Sequence, residues 1–405
     1  MKKPLEGYTV IDLTTYVAAP TAARLMADLG ARVIKVEPPK GDQWRASSVG
    51  LDPKRFSHAE NPVFDLYNNG KDLISLNLKT EEGMAVMQQL LSQADIFITN
   101  NRPASLARMG LDYETLHAKY PRLIYGIVLG YGAKGPDADK KAFDTTAFWA
   151  RSGFLRDQAM ILPDGQYEPV NPPSSVGDSY TGTVLAMQIL AAILQRQESG
   201  EGQYISASLY HVGMFAMSTM IVRQQYEGGR VQPETRAMAR PSGGPMECAD
   251  GEWVYLADSP DLIYKLAGRQ DLLEDERLQP ATRYKNRELL LESLRQCMKT
   301  KTAAQWLEIL REHDGTTVQM PHFGANATDP QAVENDFVRK VTYPTGFTHN
   351  VPTAPFEMEQ MQACDLHPTK PVGADTEKVL RELGYTDAQI AAMLEAGQAI
   401  SNETV

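Results

Sequence analysis

The sequence predicts an α/β protein built on a mostly parallel sheet, a Rossmann-like arrangement. Strand-like and helix-like segments alternate from the first residues onward, which is the signature of βαβ units. Proline and threonine stand at helix starts, as helix-initiating residues do. A chain of 405 residues has material for two or three domains at ~100 to 200 residues each.

The elements follow in order. "YTVIDLT" reads as a strand, "PTAARLMADLGA" as a helix opened by Pro20, and "RVIKVEP" as a second strand. "DLISLNL" is strand-like, and "TEEGMAVMQQLLSQA" is a helix capped by Thr80. The strand "DIFITN", a helix near Tyr113 to Lys119 and the strand "LIYGIVLG" complete the alternation. From Asp178 two long helices are expected, Asp178 to Gln197 and Leu209 to Glu227, joined by "ESGEGQYISAS". The first contains the longest apolar run, Thr183 to Leu194, which reads as buried on most sides and falls short of the ~18 to 20 residues of a bilayer span. A Gly-, Pro- and charge-rich stretch, "EGGRVQPETRAMARPSGGP", suits a linker or an active-site loop. The strand "EWVYLA" and helices near Asp261 to Leu273, Asn286 to Met298 and Ala303 to His313 follow. Pro-rich connections and two short helices, Thr376 to Leu383 and Thr386 to Ala396, close the chain.

Composition narrows the function. Forty Lys plus Arg against 51 Asp plus Glu leave a net charge of -11, the wrong sign for broad phosphate-backbone binding. Cys248, Cys297 and Cys364 are odd in number and far apart, so neither a disulfide framework nor a cysteine zinc site is suggested, and a reducing cytoplasm fits. The N-terminus reaches Glu6 and Asp12 before any apolar stretch of secretory length.

Several chemistries can be searched for directly. The turn "TTYVAAPTAARL" after the first strand has no glycine, so the pyrophosphate turn of dinucleotide enzymes is missing even though Glu37 ends the second strand. "GYGAKGP" matches no phosphate loop, and there is no G-x-S-x-G, S-x-x-K or H-E-x-x-H. His211, three residues after Ser208, reads as a packed or surface histidine, and Asp137 with Asp139 as a solvated loop. Met214, Met217 and Met220 share one helical face, a pattern of core or of a pocket for irregular acyl groups.

Asp178, in "VGDSYTG", has two readings. It is a favoured N-cap before an apolar helix. It is also a carboxylate at the edge of a buried element, kept ionised by the helix N-terminus, and such a group can attack an activated acyl carbon to form an anhydride.

The segments "IDLTTYVAAPTAARLMADLGARVIKVEPPKGDQWR", "NNGKDLISLNLKTEEG", "ADIFITNNRPASLARMG", "GYGAKGP" and "VGDSYTG" together resemble family III CoA transferases, the CaiB/BaiF group. "GLDYETLHAKYPRLIYG" and "FDTTAFWARSG" resemble in particular the transferases of amino-acid-fermenting anaerobes that act on (R)-2-hydroxyisocaproate and (R)-phenyllactate. The resemblance implies a large domain over 1–205 and 329–405, a linker helix over 206–228, a small α+β domain over 229–328 and an interlocked homodimer. It places the acyl-accepting nucleophile on Asp178 and implies acyl-CoA and carboxylic acid substrates, with no cofactor beyond CoA itself. CoA contacts carry over to Val17, Ala18, Leu76, Lys79, Asn100, Asn101, Arg108, Met109 and Lys141, the cationic groups suiting phosphates. Where formyl-CoA transferase has an arginine this chain has Pro38, with Lys40 and Arg45 as nearby substitutes. Gly243 and Gly244 correspond either to a mobile glycine loop or to a plain linker. An α-methylacyl-CoA racemase shares the aspartate but needs a second acid/base, and Phe143 stands where that histidine would be. A non-catalytic acyl-CoA binding protein is the remaining alternative.

Overall fold

The computed structural model describes residues 3–46, 61–161, 166–226, 243–359, 361, 366–368 and 370–402. Most of the Gly- and charge-rich stretch, residues 227–242, and Cys364 lie outside the described residues. In chain order the elements begin β1 (Thr9–Leu13), α1 (Ala18–Asp28), β2 (Arg32–Glu37), α2 (Pro62–Asn68), β3 (Asp72–Leu76), α3 (Glu81–Ser92) and β4 (Ile96–Thr99). Helices α4 (Pro103–Met109) and α5 (Tyr113–Lys119), strand β5 (Ile124–Leu129), a π-helical segment Asp144–Ala150 and the one-turn helix α6 (Phe154–Asp157) follow. A small hairpin, β6 (Met160–Ile161) with β7 (Tyr167–Glu168), precedes α7 (Val176–Ser199), β8 (Tyr204–Ser208), α8 (Leu209–Ala216) and α9 (Ser218–Arg223). Next come β9 (Gly244–Glu247), β10 (Trp253–Leu256), α10 (Pro260–Leu266), α11 (Gln270–Glu274), α12 (Arg287–Met298), α13 (Ala303–Glu312) and β11 (Val318–Gln319). The chain ends through α14 (Pro330–Glu334), β12 (Val338–Thr342), β13 (Thr348–Pro352), α15 (Thr376–Glu382), α16 (Asp387–Glu395) and β14 (Ala399–Ile400).

Backbone contacts divide the chain into two compact units, one of Met1–Phe154, Pro172–Val222 and Pro330–Val405, the other of Leu155–Asn171 and Arg223–Asp329. The first holds a seven-stranded sheet in the order β14-β3-β2-β1-β4-β5-β8. All its pairings are parallel except that of β14 with β3. Alternation along β1 sets the layers. Ile11 and Leu13 point to a core shared with α3, α15 and α16, while Val10 points to a second core shared with α1 and α7. Helices thus cover both faces. The second unit packs α10, α12 and α13 around Trp306, Tyr264 and Leu294, beside a three-stranded antiparallel sheet, β11-β10-β9.

Four expectations are corrected by the fold. Helix α7 is not buried on most sides: Leu185 and Ile189 are fully enclosed, but Met187 and Leu194 are 62% and 65% exposed. The helix expected over Leu209 to Glu227 breaks at Met217 into α8 and α9, Met214 is exposed, and Met217 and Met220 are only half-buried, so these methionines are not core. The stretch 206–228 begins inside β8 rather than as a helix. The Pro-rich connection near the C-terminus contains the hairpin of β12 and β13, with Pro344 in its turn, a position where the missing N–H costs no ladder bond.

Candidate active site

The strand order runs outward from β1 in one direction and from β4 in the other. Loops leaving the carboxyl ends of these two strands therefore diverge and open a crevice, the usual ligand position in open parallel sheets. A cleft of about 700 Å³ lies there, lined by Thr15 and Tyr16 after β1, Asn100 and Asn101 after β4, Gly130 after β5, and both Asp144 and Asp178.

Asp178 is not the cap of α7. The N-cap residue is Ser175, in the left-handed region at φ 69°, and its own side chain makes no capping bond. The carboxylate of Asp144 does the capping from another segment. Its Oδ1 accepts from the Asp178 N–H at 3.0 Å and its Oδ2 from the Ser175 N–H at 3.1 Å, and the Gly177 N–H also donates to it. The Trp149 indole N–H fixes the same carboxylate at 3.2 Å. Asp178, two residues into the helix, thereby has its side chain free of capping work and lines the cleft.

The glycines of "VGDSYTG" have a steric reason. A Cβ on Gly177 would overlap Asp144 Oδ1 and the Phe148 ring, and one on Gly182 would overlap the Ala18 carbonyl at the start of α1. Substituting either therefore pushes α7 off the two elements that place Asp178.

The electrostatics depart from expectation. The helix N-terminus was expected to keep Asp178 ionised, yet burial, and then the charge of Asp144, push its carboxyl up to about 7. Asp144 is also raised by burial, although its three backbone donors and Trp149 oppose the shift. Neither carboxylate has an ion-pair partner among the described residues. Desolvation and a like charge both penalise the anion, and together they outweigh the dipole of one helix end. Tyr67 stands close by, its phenol bonded to Ser175 and Ser179 and raised by burial.

The first turn is built without glycine. Tyr16 takes the left-handed position at φ 64°, a conformation that persists only where surroundings enforce it. Asn100 clamps Thr15 on both sides, accepting from its N–H at 3.0 Å and donating to its carbonyl at 2.8 Å. Asp42 accepts from the Tyr16 N–H at 3.2 Å.

Of the residues expected to contact CoA, Ala18, Asn100, Asn101 and Lys141 line the cleft with Asp178. The amides of Asn100 and Asn101 are engaged with Thr15, Leu13 and Thr99, so they shape the turn. Val17 is fully buried and Leu76 sits in the sheet core. Lys79 and Arg108 are exposed and Met109 is half-buried against that core, all three outside the lining of this cleft. Arg45 is not a substitute for the arginine that Pro38 displaces: it is buried, bonded to both oxygens of Glu37 at 2.8 Å and stacked 4.0 Å over Phe64. Lys40 is exposed. In the second unit Gly243 precedes β9 and Gly244 opens it, paired with Leu256. A Cβ on Gly243 would overlap the Leu256 carbonyl, whereas one on Gly244 would meet open space and is opposed only by the positive φ of 131°. His211 is exposed, and Asp137 pairs with Lys140 and Arg151 at 3.8 and 3.2 Å.

Sequence reading missed Tyr16, Trp44 and Asp144 as cleft residues, together with the cations Arg102 and Lys140. Only Asp144 left a trace, one residue after Phe143 in the motif compared with a racemase.

Comparison with known proteins identifies the family. A model of CoA-transferase family III matches residues 5–376. The chain is 36% identical over 397 residues to an (R)-2-hydroxy-4-methylpentanoate CoA-transferase of Clostridioides difficile, covering 95% of this chain and 97% of that one. It is 34% identical to a cinnamoyl-CoA:phenyllactate CoA-transferase of Clostridium sporogenes, covering 95% and 94%. The crystal structure of a CaiB/BaiF family protein from Brucella suis superposes with a TM-score of 0.80 over 95% of this chain and all of the other, at 24% identity, a match of fold. A match spanning both carboxylates and nearly the whole sheet leaves one assignment: the chain belongs to CoA-transferase family III.

Proposed function

We propose that this enzyme moves CoA reversibly from an acyl-CoA to a 2-hydroxy carboxylic acid, with Asp178 as the covalent carrier. One observation supports the reading above all: Asp178 is a desolvated carboxylate freed from capping by Asp144 and directed into a cleft at the switch point of the sheet. The ionised carboxylate attacks the donor thioester carbonyl, and the C–S bond breaks to give a mixed anhydride and CoA thiolate. The thiolate attacks the Asp178 carbonyl, releasing the donor acid and leaving an aspartyl-CoA thioester. The acceptor carboxylate attacks that thioester, forming a second anhydride and freeing the thiolate again. Attack of the thiolate on the acceptor carbonyl yields the new acyl-CoA and restores the Asp178 carboxylate. Poor solvation makes the carboxylate a better nucleophile than one in water, provided it is ionised.

The 2-hydroxy acid assignment draws on the two relatives, which act on 2-hydroxy-4-methylpentanoate and phenyllactate. With Phe143 beside Asp144 no second acid/base of the racemase type stands there, which favours transfer over racemisation. The same reading includes an interlocked homodimer, a small domain over 229–328 and a cytoplasmic setting in amino-acid fermentation. No helix among the described residues is long and apolar enough to cross a membrane.

Intact-protein and peptide mass spectrometry after brief mixing with isocaproyl-CoA or cinnamoyl-CoA tests the route. An acyl or CoA adduct on the Asp178 peptide is expected. Transfer without any such adduct, and undiminished in Asp178→Ala, overturns it.

A further inference from the structure

We propose that Phe143, Tyr16 and Trp44 form the subsite for the acid's side chain and that this subsite selects aromatic acids; the inference rests on the assignment of CoA transfer at Asp178. All three residues line the same cleft as Asp178. Their rings make a file. Phe143 and Tyr16 meet edge to face at 6.1 Å and 78°, and Tyr16 and Trp44 are tilted by 57° at 6.1 Å. Trp44 continues the file to Tyr67 at 6.3 Å and 63°. The phenol of Tyr67 is bonded to Ser175 and Ser179, on either side of the nucleophile. A run of ring faces and edges thus leads from the cleft mouth to the turn that carries Asp178.

The file is open at its outer end. Phe143 is 58% exposed although it belongs to a cleft wall. An incoming aryl group can add the next edge-to-face contact, which a branched aliphatic chain cannot make beyond simple burial. The file is also held in advance. Asp42 Oδ1 accepts from the Tyr16 N–H at 3.2 Å and the Trp44 N–H at 2.9 Å, and its other oxygen pairs with the buried Lys35 at 3.0 Å. The Trp44 indole N–H reaches the Val63 carbonyl at 3.3 Å, and Gln43 accepts from the Tyr16 hydroxyl. Rings fixed before the ligand arrives lose little entropy on binding it, so the contact appears as selectivity.

The test compares three acceptors of one carboxylate chemistry: a 2-hydroxy acid with a phenyl side chain, one with an isobutyl side chain, and one with a methyl side chain. With acetyl-CoA as donor, kcat/KM is measured for the wild type, Trp44→Leu, Phe143→Leu and Trp44→Phe. The wild type should favour the phenyl acid over the isobutyl acid about tenfold. The leucine variants should lose about tenfold or more on the phenyl acid and under about threefold on the methyl acid, with Trp44→Phe restoring most of the preference. Equal losses on all three acids, or a wild type preferring the isobutyl acid, overturn the subsite while leaving transfer intact. Absence of both transfer and an Asp178 adduct in the wild type overturns the transfer assignment and the subsite together.

Discussion

Two groups of desolvated carboxylates stand in the same unit and are treated oppositely. Beneath the first turn every acid has a cation. Asp12 pairs with Lys71 at 2.8 Å, Asp42 with Lys35 at 3.0 Å and Glu37 with Arg45 at 2.8 Å, all with side chains at most 3% exposed. At the head of α7, Asp178 faces the charge of Asp144, and no cation is paired to either among the described residues. The consequence is visible in their acidity. Asp12 is held below its ordinary range because Lys71 and Lys35 overcome its burial, whereas Asp178 is pushed up to about 7. Paired, a buried acid becomes part of the scaffold that holds Tyr16 and Trp44. Unpaired, it keeps a high-energy anion available for chemistry.

The contrast can be broken at either end. The largest effect is expected at the unpaired site: Asp178→Ala should lower turnover by about a thousandfold or more, since a covalent route has no alternative carrier, and steady-state exchange assays measure it. The paired site should answer in stability instead. Lys71→Met leaves Asp12 buried without its partner, a loss of about 3 to 5 kcal/mol that urea unfolding would register. A Lys71→Met protein as stable as the wild type would show that the ion network is not what holds the first turn.

Asp144→Asn sharpens the comparison because it removes one charge and leaves a side chain of the same shape. Asp178 then loses its like-charge neighbour, so the deprotonation that activates it, expected near pH 7, should move to lower pH. A loss of about tenfold in rate should accompany the weakened cap. The pH-rate profile reads the midpoint, and a midpoint that stays in place would assign the shift to burial alone.

The unpaired site should also show in the pH dependence of folding. Below about pH 4 Asp178 is protonated in both the folded and the unfolded chain. As pH rises toward 7 the unfolded chain gives up this proton first, the native state binds more protons, and stability falls before levelling off above about 7. Asp178→Asn should flatten that decline in a series of thermal melts. An unchanged slope would mean that the raised pKa is not a property of Asp178.

How far the sequence alone leads can be judged residue by residue. The alternation that announces β1 to β5 is local, because burial on both faces of a parallel strand demands a short apolar run. Thr80 caps α3 as its position suggested, accepting from the Gly83 N–H at 3.2 Å, since an N-cap depends only on the next turn. Family membership was legible, and Asp178 stood out as the candidate, for a related reason: "VGDSYTG" is contiguous, and its glycines mark contacts that allow no side chain.

Whether Asp178 caps its helix was not legible, and neither were its surroundings. Whether an acid before an apolar helix caps it depends on which other acceptor reaches those N–H groups, and here the acceptor lies 34 residues away, in the segment carrying Asp144. Arg45 looked available for a phosphate until the packing of Glu37 and Phe64 enclosed it. The sequence by itself determined the sheet and the family and singled out the candidate carboxylate, because these are written in local periodicity and contiguous motifs. Only the tertiary structure decided which buried acids are neutralised and which are left bare, because desolvation and charge pairing depend on distances that chain order does not contain.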